Sequence, residues 1–225
     1  MRPIFIVVEG LTEKEFVDEC LKPYWIEKYG LYDVHVRILG VPGKKGGDVR
    51  IARLQKDVEL LLKQRSDAFV TTLVDYYGIR TDIPDYQACQ ALPTIDERIE
   101  CLEKGLYTLI DSKQFIPYLQ KHEFETLLFA SGNSLAKYLT PKSCAAIEKM
   151  NKDLGGAENI NTANPPSYRL AEIISGNEPF RYRKVAYGST LALEIGLPTI
   201  LHECPRFAAW VERIGKLANR TPPYV

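Results

Sequence analysis

Apolar residues in the first part of the chain occur either in short continuous runs or at helical spacing. The first continuous run, Ile4–Val8, contains β-branched and aromatic residues and ends at Glu9 and Gly10. Such a run is typical of a strand that is buried on both faces. Apolar residues then recur at helical spacing, and Thr12 and Glu15 have the form of a capping box. The pattern predicts a strand that leads directly into a helix.

The alternation of strand and helix continues as far as residue 123. Further strands are predicted at 34–39, 69–74 and 115–119. Helices are predicted at 49–62 and 94–110, with an exposed loop at 78–93. Strands that alternate with helices form a parallel sheet with helices on both faces. We therefore predict an α/β fold with a four-stranded, parallel, Rossmann-like sheet.

Beyond residue 123 the pattern is helical. The helical segments are 124–138, 142–154, 171–174 and 207–217, and the polar stretch 155–167 is the best candidate for a linker. The chain is thus expected to comprise an α/β core at 1–130 and a mostly helical extension at 131–225 that packs on the core.

Composition places the chain among ordinary globular proteins. It has 225 residues, of which 45% are hydrophobic and 26% are charged, which argues against the disordered, collagen-like and coiled-coil classes. Lys and Arg total 29, as do Asp and Glu, so the formal net charge is zero. A nonspecific coat for nucleic acid would need an excess of positive charge, and the sequence argues against one.

Two further features concern the compartment. The first apolar run is too short for a secretory signal or a membrane span, so a cytoplasmic protein is expected. The five cysteines are an odd number, widely spaced and without a CxxC pair. Neither a disulfide framework nor a zinc site is indicated, and buried thiols are expected instead.

Acidic residues follow three of the predicted strands. Glu9 follows the first, Asp75 the third, and the segment from His122 to Glu125 the fourth. Because the carboxyl ends of parallel strands meet at one edge of the sheet, these side chains are expected to converge. Carboxylate oxygens are preferred ligands of Mg²⁺ and Mn²⁺, which serve phosphodiester cleavage. We predict a metal site formed by Glu9, Asp75, Glu125 and Glu123.

Two residues are candidates for proton transfer at this site. Glu13 lies one helical turn beyond Glu9 and is expected on the same face, and His122 is a candidate ligand, general base or hydrogen-bond donor. Each acid also has a structural interpretation, because acids favour the first turn of helices and aspartate is common in turns. A zinc protease is excluded, since HEFET lacks the second histidine of HExxH.

Basic residues offer phosphate-binding positions. Lys44, Lys45 and Arg50 lie in or beside the glycine-rich stretch GVPGKKGGDVR, which is suited to phosphate but is equally typical of a solvated loop. A second basic stretch, Arg181 to Lys184, contains one aromatic residue. The sequence has no GxSxG, GxGxxG or GxxxxGK[ST] motif, so the chain is not expected to hydrolyse ATP by itself.

Several segments resemble known families. Two segments, VVEGLTEKEF and TTLVDYYG, resemble the Toprim signature. This signature occurs in topoisomerases, primases and overcoming-lysogenisation-defect nucleases. Further segments, in order along nearly the whole chain, resemble the Toprim-like domain-of-unknown-function family numbered 4276. They are FIPYLQKHEFETLLFA, PPSYRL, EIGL and CPRFAAWVERI. By this resemblance Glu9 matches the Toprim acid, Asp75 the first acid of the DxD element, and Glu123 and Glu125 the HEFE segment.

The chain departs from the family patterns at two positions. Tyr77 stands where many Toprim enzymes have a second aspartate, so a second metal ion would need Glu125, Glu13 or Asp82 in its place. Tyr168 stands where the family has a basic residue, which leaves the neighbouring arginine as the phosphate-binding candidate. That candidate is Arg169.

The resemblance implies a Mg²⁺- or Mn²⁺-dependent nuclease in a bacterial anti-phage or nucleic-acid-processing system. Two other hypotheses stay open: a noncatalytic subunit that docks an ATPase, and a hydrolase of nucleotides or small phosphoesters. DNA or RNA is the expected partner, with a separately encoded ATPase and self-association as further candidates and no membrane. A fold resemblance alone does not establish activity.

Overall fold

The computed structural model describes residues 2–40, 50–79, 81–160 and 164–217. The strands in these ranges form one parallel sheet, and they are β1 (Ile4–Val8), β2 (Val34–Ile38), β3 (Phe69–Asp75), β4 (Phe115–Ile116) and β5 (Leu119–Gln120). Their order is β2-β1-β3-β4, and β5 continues beside β3 beyond the end of β4. The predicted α/β class with a parallel sheet is confirmed.

The fourth predicted strand is divided into two short strands. Pro117 and Tyr118 separate β4 from β5, and proline has no backbone N–H to donate to a neighbouring strand. Side chains of β3 supply hydrogen bonds here. The Thr72 hydroxyl donates to the carbonyl of Tyr118 at 2.7 Å and accepts from its N–H at 2.8 Å. The Thr71 hydroxyl donates to the carbonyl of Ile116 at 2.6 Å.

Helices flank the sheet and make up most of the C-terminal part. The α-helices in the described ranges are α1 (Leu11–Phe16), α2 (Lys22–Tyr29), α3 (Ile51–Gln64), α4 (Tyr86–Gln90), α5 (Ile95–Ile110), α6 (Pro141–Leu154), α7 (Pro166–Asn177), α8 (Lys184–Ile195), α9 (Leu197–Glu203) and α10 (Pro205–Leu217). A π-helical turn, Val17–Leu21, joins α1 to α2. Short 3₁₀ segments replace part of the helix expected at 124–138. Across these ranges, no helix is long and apolar enough to cross a bilayer.

The capping box predicted at Thr12 and Glu15 is wrong. Helix α1 begins directly after the extended Gly10 and has no side-chain cap, so Thr12 lies inside the helix. Glu15 instead accepts a hydrogen bond from the hydroxyl of Ser189 at 2.8 Å. The sequence pattern identified a helix start, but tertiary contacts engage these side chains elsewhere.

Hydrophobic residues pack on both faces of the sheet. Successive residues of β1 point to opposite faces. Ile4 and Ile6 pack with α1, α2 and the C-terminal helices, whereas Val7 packs with α3 and α5. Helix α10 lies on the first face, where Trp210 Nε1 donates to the hydroxyl of Thr71 at 3.0 Å. A boundary between core and extension at residue 130 stays a prediction.

One pair of cysteines forms a disulfide, although free thiols were predicted. Cys89 in α4 and Cys101 in α5 form a disulfide, with Cα atoms 5.5 Å apart. The expectation that the cysteines are all thiols is therefore wrong, because the pairing depends on two helices packing side by side. Cys20, Cys144 and Cys204 are buried free thiols.

Candidate functional site

Two of the predicted acids lie where neighbouring strands end. Glu9 directly follows β1, and Asp75 is the last residue of β3. Val8 is opposite Leu73 in the parallel register, so the two acids leave the sheet at the same edge. The backbone at Gly78 lies close to the side chain of Glu9. A Cβ atom added at Gly78 would be 3.1 Å from Oε2 of Glu9. The structure thus brings Glu9 and Asp75 together.

Two more acids reach this edge from other elements. Glu13 lies in α1, and Glu125 lies in the 3₁₀ segment Phe124–Phe129. Glu13 is 3% exposed, Glu125 2% and Asp75 7%. Buried carboxyl groups are unfavourable unless a cation or hydrogen-bond donors face them. We call the carboxyl groups of Glu9, Glu13, Asp75 and Glu125 the carboxylate cluster.

The cation that faces the carboxylate cluster is the ammonium group of Lys184. Its Nζ atom lies 2.8 Å from Oε1 of Glu13, 2.8 Å from Oδ2 of Asp75 and 3.7 Å from Oε2 of Glu125. Tyr182, two residues earlier, donates a hydrogen bond from its hydroxyl to Oε1 of Glu125 at 3.1 Å. One segment of the C-terminal part therefore completes a site that begins at the sheet edge.

Close packing of α8 on α1 positions Lys184. A Cβ atom added at Gly188 would lie 2.7 Å from Cγ2 of Thr12, so the absence of a side chain allows this approach. In the sequence Lys184 belongs to the basic stretch Arg181 to Lys184, and its position among the acids was not predicted. No local signal could have found it, because the contact joins distant parts of the chain.

Burial and mutual repulsion act on the ionisation of the cluster. Burial raises the pKa of Asp75 well above its usual value and also raises the pKa of Glu9 and Glu125, while Lys184 opposes these shifts. Burial disfavours the charged ammonium of Lys184, yet attraction to Asp75, Glu13 and Glu125 outweighs burial and raises its pKa. Full ionisation of four carboxyl groups beside one ammonium leaves an excess of three negative charges. An additional cation would reduce this repulsion.

The donor chemistry of the cluster fits a hard divalent cation. Oε2 of Glu9 and Oε1 of Glu13 are buried and form no hydrogen bond within the described ranges, although the latter faces Lys184. All of the donors are carboxylate oxygens, which Mg²⁺ and Mn²⁺ prefer. A complete coordination shell is not preformed: among the residues the structure describes, no three metal-binding side chains are arranged to hold an ion. The ammonium of Lys184 lies among the acids instead.

His122 faces away from the carboxylate cluster. Its backbone is left-handed, with φ of 63°, and its ring is buried. Nε2 lies 3.1 Å from the carbonyl oxygen of Glu158, and Nδ1 lies 3.1 Å from the hydroxyl of Tyr77. A carbonyl only accepts, so Nε2 carries the hydrogen and the Tyr77 hydroxyl donates to Nδ1. Burial lowers the pKa of His122 to about 4, so the ring is neutral near pH 7.

The remaining predicted acids are engaged at helix starts. Oε2 of Glu123 accepts a hydrogen bond from the N–H of Ser167 at 2.9 Å, in the first turn of α7. Oδ2 of Asp82 accepts from the N–H of Ile51 at 3.2 Å, at the start of α3. The structure therefore does not place either side chain at the ammonium of Lys184.

Two of the four predicted phosphate-binding residues lie at or near the starts of helices, and the other two lie outside the described residues. Lys44 and Lys45 lie outside the described residues. Arg50 is the N-cap residue of α3. The Nε atom of Arg169 donates to the carbonyl of Asn164 at 2.9 Å, in the approach to α7.

Comparisons with known proteins place the chain in a family. A family model described as "Domain of unknown function (DUF4276)" matches residues 8–215. A comparison with curated proteins found no match. Among solved structures, the chain is similar to the C-terminal region of the Xanthomonas campestris pv. campestris OLD protein, with a TM-score of 0.46 and 17% sequence identity over 97% of this chain and 96% of that chain. Because the family model spans nearly the whole chain, the protein belongs to the DUF4276 family.

Proposed function

We propose that this protein is a divalent-metal-dependent hydrolase of nucleic-acid phosphodiester bonds, of the Toprim type. One observation carries the proposal. Carboxyl groups from the end of β1, from β3, from α1 and from the segment Phe124–Phe129 meet at one edge of a parallel sheet, where Oε2 of Glu9 is buried and forms no hydrogen bond within the described ranges. Such edges are where α/β proteins bind their ligands.

Glu9, Asp75 and Glu125 would hold the ion, with Glu13 beside them. A bound Mg²⁺ or Mn²⁺ would supply a Lewis acid for the phosphoryl oxygen and lower the pKa of water. Lys184 contributes positive charge next to the same acids, where it can contact a nonbridging phosphate oxygen. Tyr182 fixes the orientation of Glu125 through its hydroxyl. We assign proton acceptance from water to the carboxyl group of Glu13, whose Oε1 atom pairs with Lys184.

His122 and Glu123 have positioning roles in this proposal. Both nitrogens of His122 are engaged, and its pKa of about 4 makes it a poor proton acceptor at neutral pH. The imidazole instead holds Tyr77, which lies two residues after Asp75. Glu123 fixes the start of α7. Neither residue needs to contact the ion.

A noncatalytic role is the second candidate, and the position of Lys184 favours it. An ammonium group among buried acids can serve as a structural link between the sheet edge and α8 without any metal. A chain of this kind would bind a partner, such as the separately encoded ATPase that the family resemblance implies. Membership of an anti-phage or nucleic-acid-processing system and a cytoplasmic location stay predictions.

Metal-dependent cleavage distinguishes the two candidates. The purified chain is incubated with Mn²⁺ and labelled single-stranded DNA, duplex DNA or RNA, beside Asp75→Asn, Glu9→Gln and the control Asp67→Asn. Asp67 is exposed and pairs with Arg65 near the start of β3, at the opposite edge of the sheet. We expect cleavage by the wild type and the control, and a loss of about a hundredfold or more in the other variants. Absence of cleavage together with no Mn²⁺ effect on the melting temperature would favour the noncatalytic role.

A further inference from the structure

The side chains that lead into α8 alternate between the protein and solvent. Phe180, Tyr182 and Lys184 are partly buried, whereas Arg181 and Arg183 are exposed. Arg183 has φ of −137° and ψ of 116°, values of extended backbone. In such backbone, successive side chains point in opposite directions. The segment therefore has an inner side and an outer side.

The inner side chains fix the segment beside the carboxylate cluster. The ring of Phe180 lies 5.1 Å from the ring of Tyr187 and packs against the hydrophobic core. Tyr182 donates to Glu125, and Lys184 contacts Asp75. Because three consecutive inner residues are held in this way, the backbone between them has little freedom. The intervening outer side chains start from fixed positions at the edge of the site.

The outer side chains are two arginines, Arg181 and Arg183. Neither Arg181 nor Arg183 forms an ion pair or hydrogen bond with any residue in the described part of the chain. Residues two apart in extended backbone are separated by about 6.6 Å, which is similar to the spacing of neighbouring phosphates along a nucleic-acid strand. A guanidinium group also matches the geometry of phosphate oxygens.

We propose that Arg181 and Arg183 bind consecutive phosphates of a polynucleotide on one side of the reacting phosphodiester, and that the substrate is a polymer rather than a free nucleotide. This inference rests on the proposed function, because it takes the carboxylate cluster as the reacting centre. A mononucleotide that reaches the cluster would contact Lys184 on the inner side and would extend past at most one outer arginine. With a formal net charge of zero, binding depends on local positive charge of this kind.

The test compares Arg181→Gln/Arg183→Gln with a control that removes the same charge from the opposite edge of the sheet. The control is Arg65→Gln/Lys113→Gln, because both residues are exposed and precede the strands β3 and β4. Binding of a fluorescein-labelled single-stranded DNA is measured by anisotropy over a range of KCl concentrations, with Ca²⁺ in place of Mn²⁺. Hydrolysis of bis(p-nitrophenyl) phosphate with Mn²⁺ and the melting temperature are measured in parallel.

We expect the Arg181→Gln/Arg183→Gln variant to bind DNA about tenfold more weakly, and the slope of log K against log[KCl] to decrease by about 0.7 for each lost contact. Its melting temperature and its hydrolysis of the small diester should equal those of the wild type, and the control should match the wild type throughout. DNA binding with an unchanged affinity and salt slope would overturn the inference and leave the proposed function standing. A loss of small-diester hydrolysis as large as the loss of DNA binding would also overturn the inference.

The remaining outcomes separate the inference from the proposed function. A wild type that binds DNA through these arginines without cleaving any substrate supports the binding site and contradicts the proposed catalysis. A wild type that neither binds nor cleaves any polynucleotide contradicts both.

Discussion

The ammonium nitrogen of Lys184 lies 2.8 Å from Oδ2 of Asp75, although 109 residues separate the two along the chain. Asp75 ends a central strand, and Lys184 begins α8. The pair therefore connects the sheet edge to the C-terminal helices. It also defines the central question about the site, because the acid that would bind a metal ion is held by a protein cation.

Substitution of Asp75 separates a metal ligand from a structural acid. Burial raises the pKa of Asp75, so the ionised form destabilises the folded state at neutral pH. Asp75→Asn removes one of four mutually repelling carboxylates, while the amide oxygen can still accept from Lys184, so we expect an increase of about 1 kcal/mol in the free energy of unfolding without metal. For a chain of this size the melting temperature should rise by about 2–4 °C. Calorimetry with and without Mn²⁺ measures both effects.

With Mn²⁺ present, the wild type should have a higher melting temperature than Asp75→Asn. Metal binding stabilises the folded state by linkage, so the wild type should gain more than Asp75→Asn. The exposed control Asp67→Asn should respond to Mn²⁺ like the wild type. An equal Mn²⁺ response in Asp75→Asn would show that Asp75 is not a ligand.

Removal of the ammonium group tests whether Lys184 substitutes for a metal ion. Lys184→Met leaves the buried acids without their protein cation, and we expect a loss of about 2–4 kcal/mol in the free energy of unfolding. If the cluster binds Mn²⁺, the ion should restore much of this stability, because it supplies the missing positive charge. Urea unfolding with and without Mn²⁺ gives the comparison.

Lys216→Met is the matched control, since Lys216 is exposed and pairs only with Glu212 one turn earlier among the described residues. It should change stability by less than about 0.5 kcal/mol. A loss in Lys184→Met that Mn²⁺ does not alter would favour the structural link over the metal site.

Because His122 is neutral in the folded chain, it should make the free energy of unfolding depend on pH. Its pKa is about 4 in the folded chain and 6.5 in the absence of burial. Between these values the unfolded chain binds more protons than the folded chain, so stability from this residue decreases as the pH falls from about 6.5 to about 4. The total change is about 3 kcal/mol. His122→Asn should reduce this pH dependence, because asparagine tolerates positive φ and does not titrate.

The His122 comparison uses the slope of stability against pH rather than stability itself, since the variant also loses the hydrogen bond from Tyr77. Proton NMR of the wild-type imidazole provides an independent measurement. Titration of His122 in the folded chain near pH 6.5 would contradict the buried, neutral arrangement.

Reduction of the disulfide should destabilise the protein. Cys89 and Cys101 are 12 positions apart, and a cross-link that closes a loop of this size contributes about 3 kcal/mol by restricting the unfolded chain. Dithiothreitol should therefore lower the melting temperature of the wild type. It should leave that of Cys89→Ala/Cys101→Ala unchanged. Alkylation of all five cysteines in the denatured, unreduced chain would show that the bond does not form.

Local sequence determined the elements at the centre of the fold. The apolar runs that become β1 and β3 are continuous because both faces of a central parallel strand are buried, so their positions and their terminal acids could be predicted. The convergence of Glu9 and Asp75 also follows from the sequence, since parallel strands place their carboxyl ends at one edge.

Side-chain partners at the same edge were decided by tertiary structure. Lys184 and Arg183 are adjacent basic residues in the sequence, yet one lies among buried acids and the other in solvent. Packing of α8 on α1 fixes which face of this segment meets the protein. The positive φ of His122 likewise directs its ring toward Tyr77 and Glu158 rather than toward the carboxylate cluster.

The sequence by itself thus determined the positions of β1 and β3 and the acids at their ends, because each depends on neighbouring residues and on the geometry of a parallel sheet. Only the tertiary structure decided that Lys184 lies at the centre of the acids and that Cys89 pairs with Cys101. Both contacts form between separate helices whose relative placement depends on packing across the whole chain, and no local periodicity contains that information.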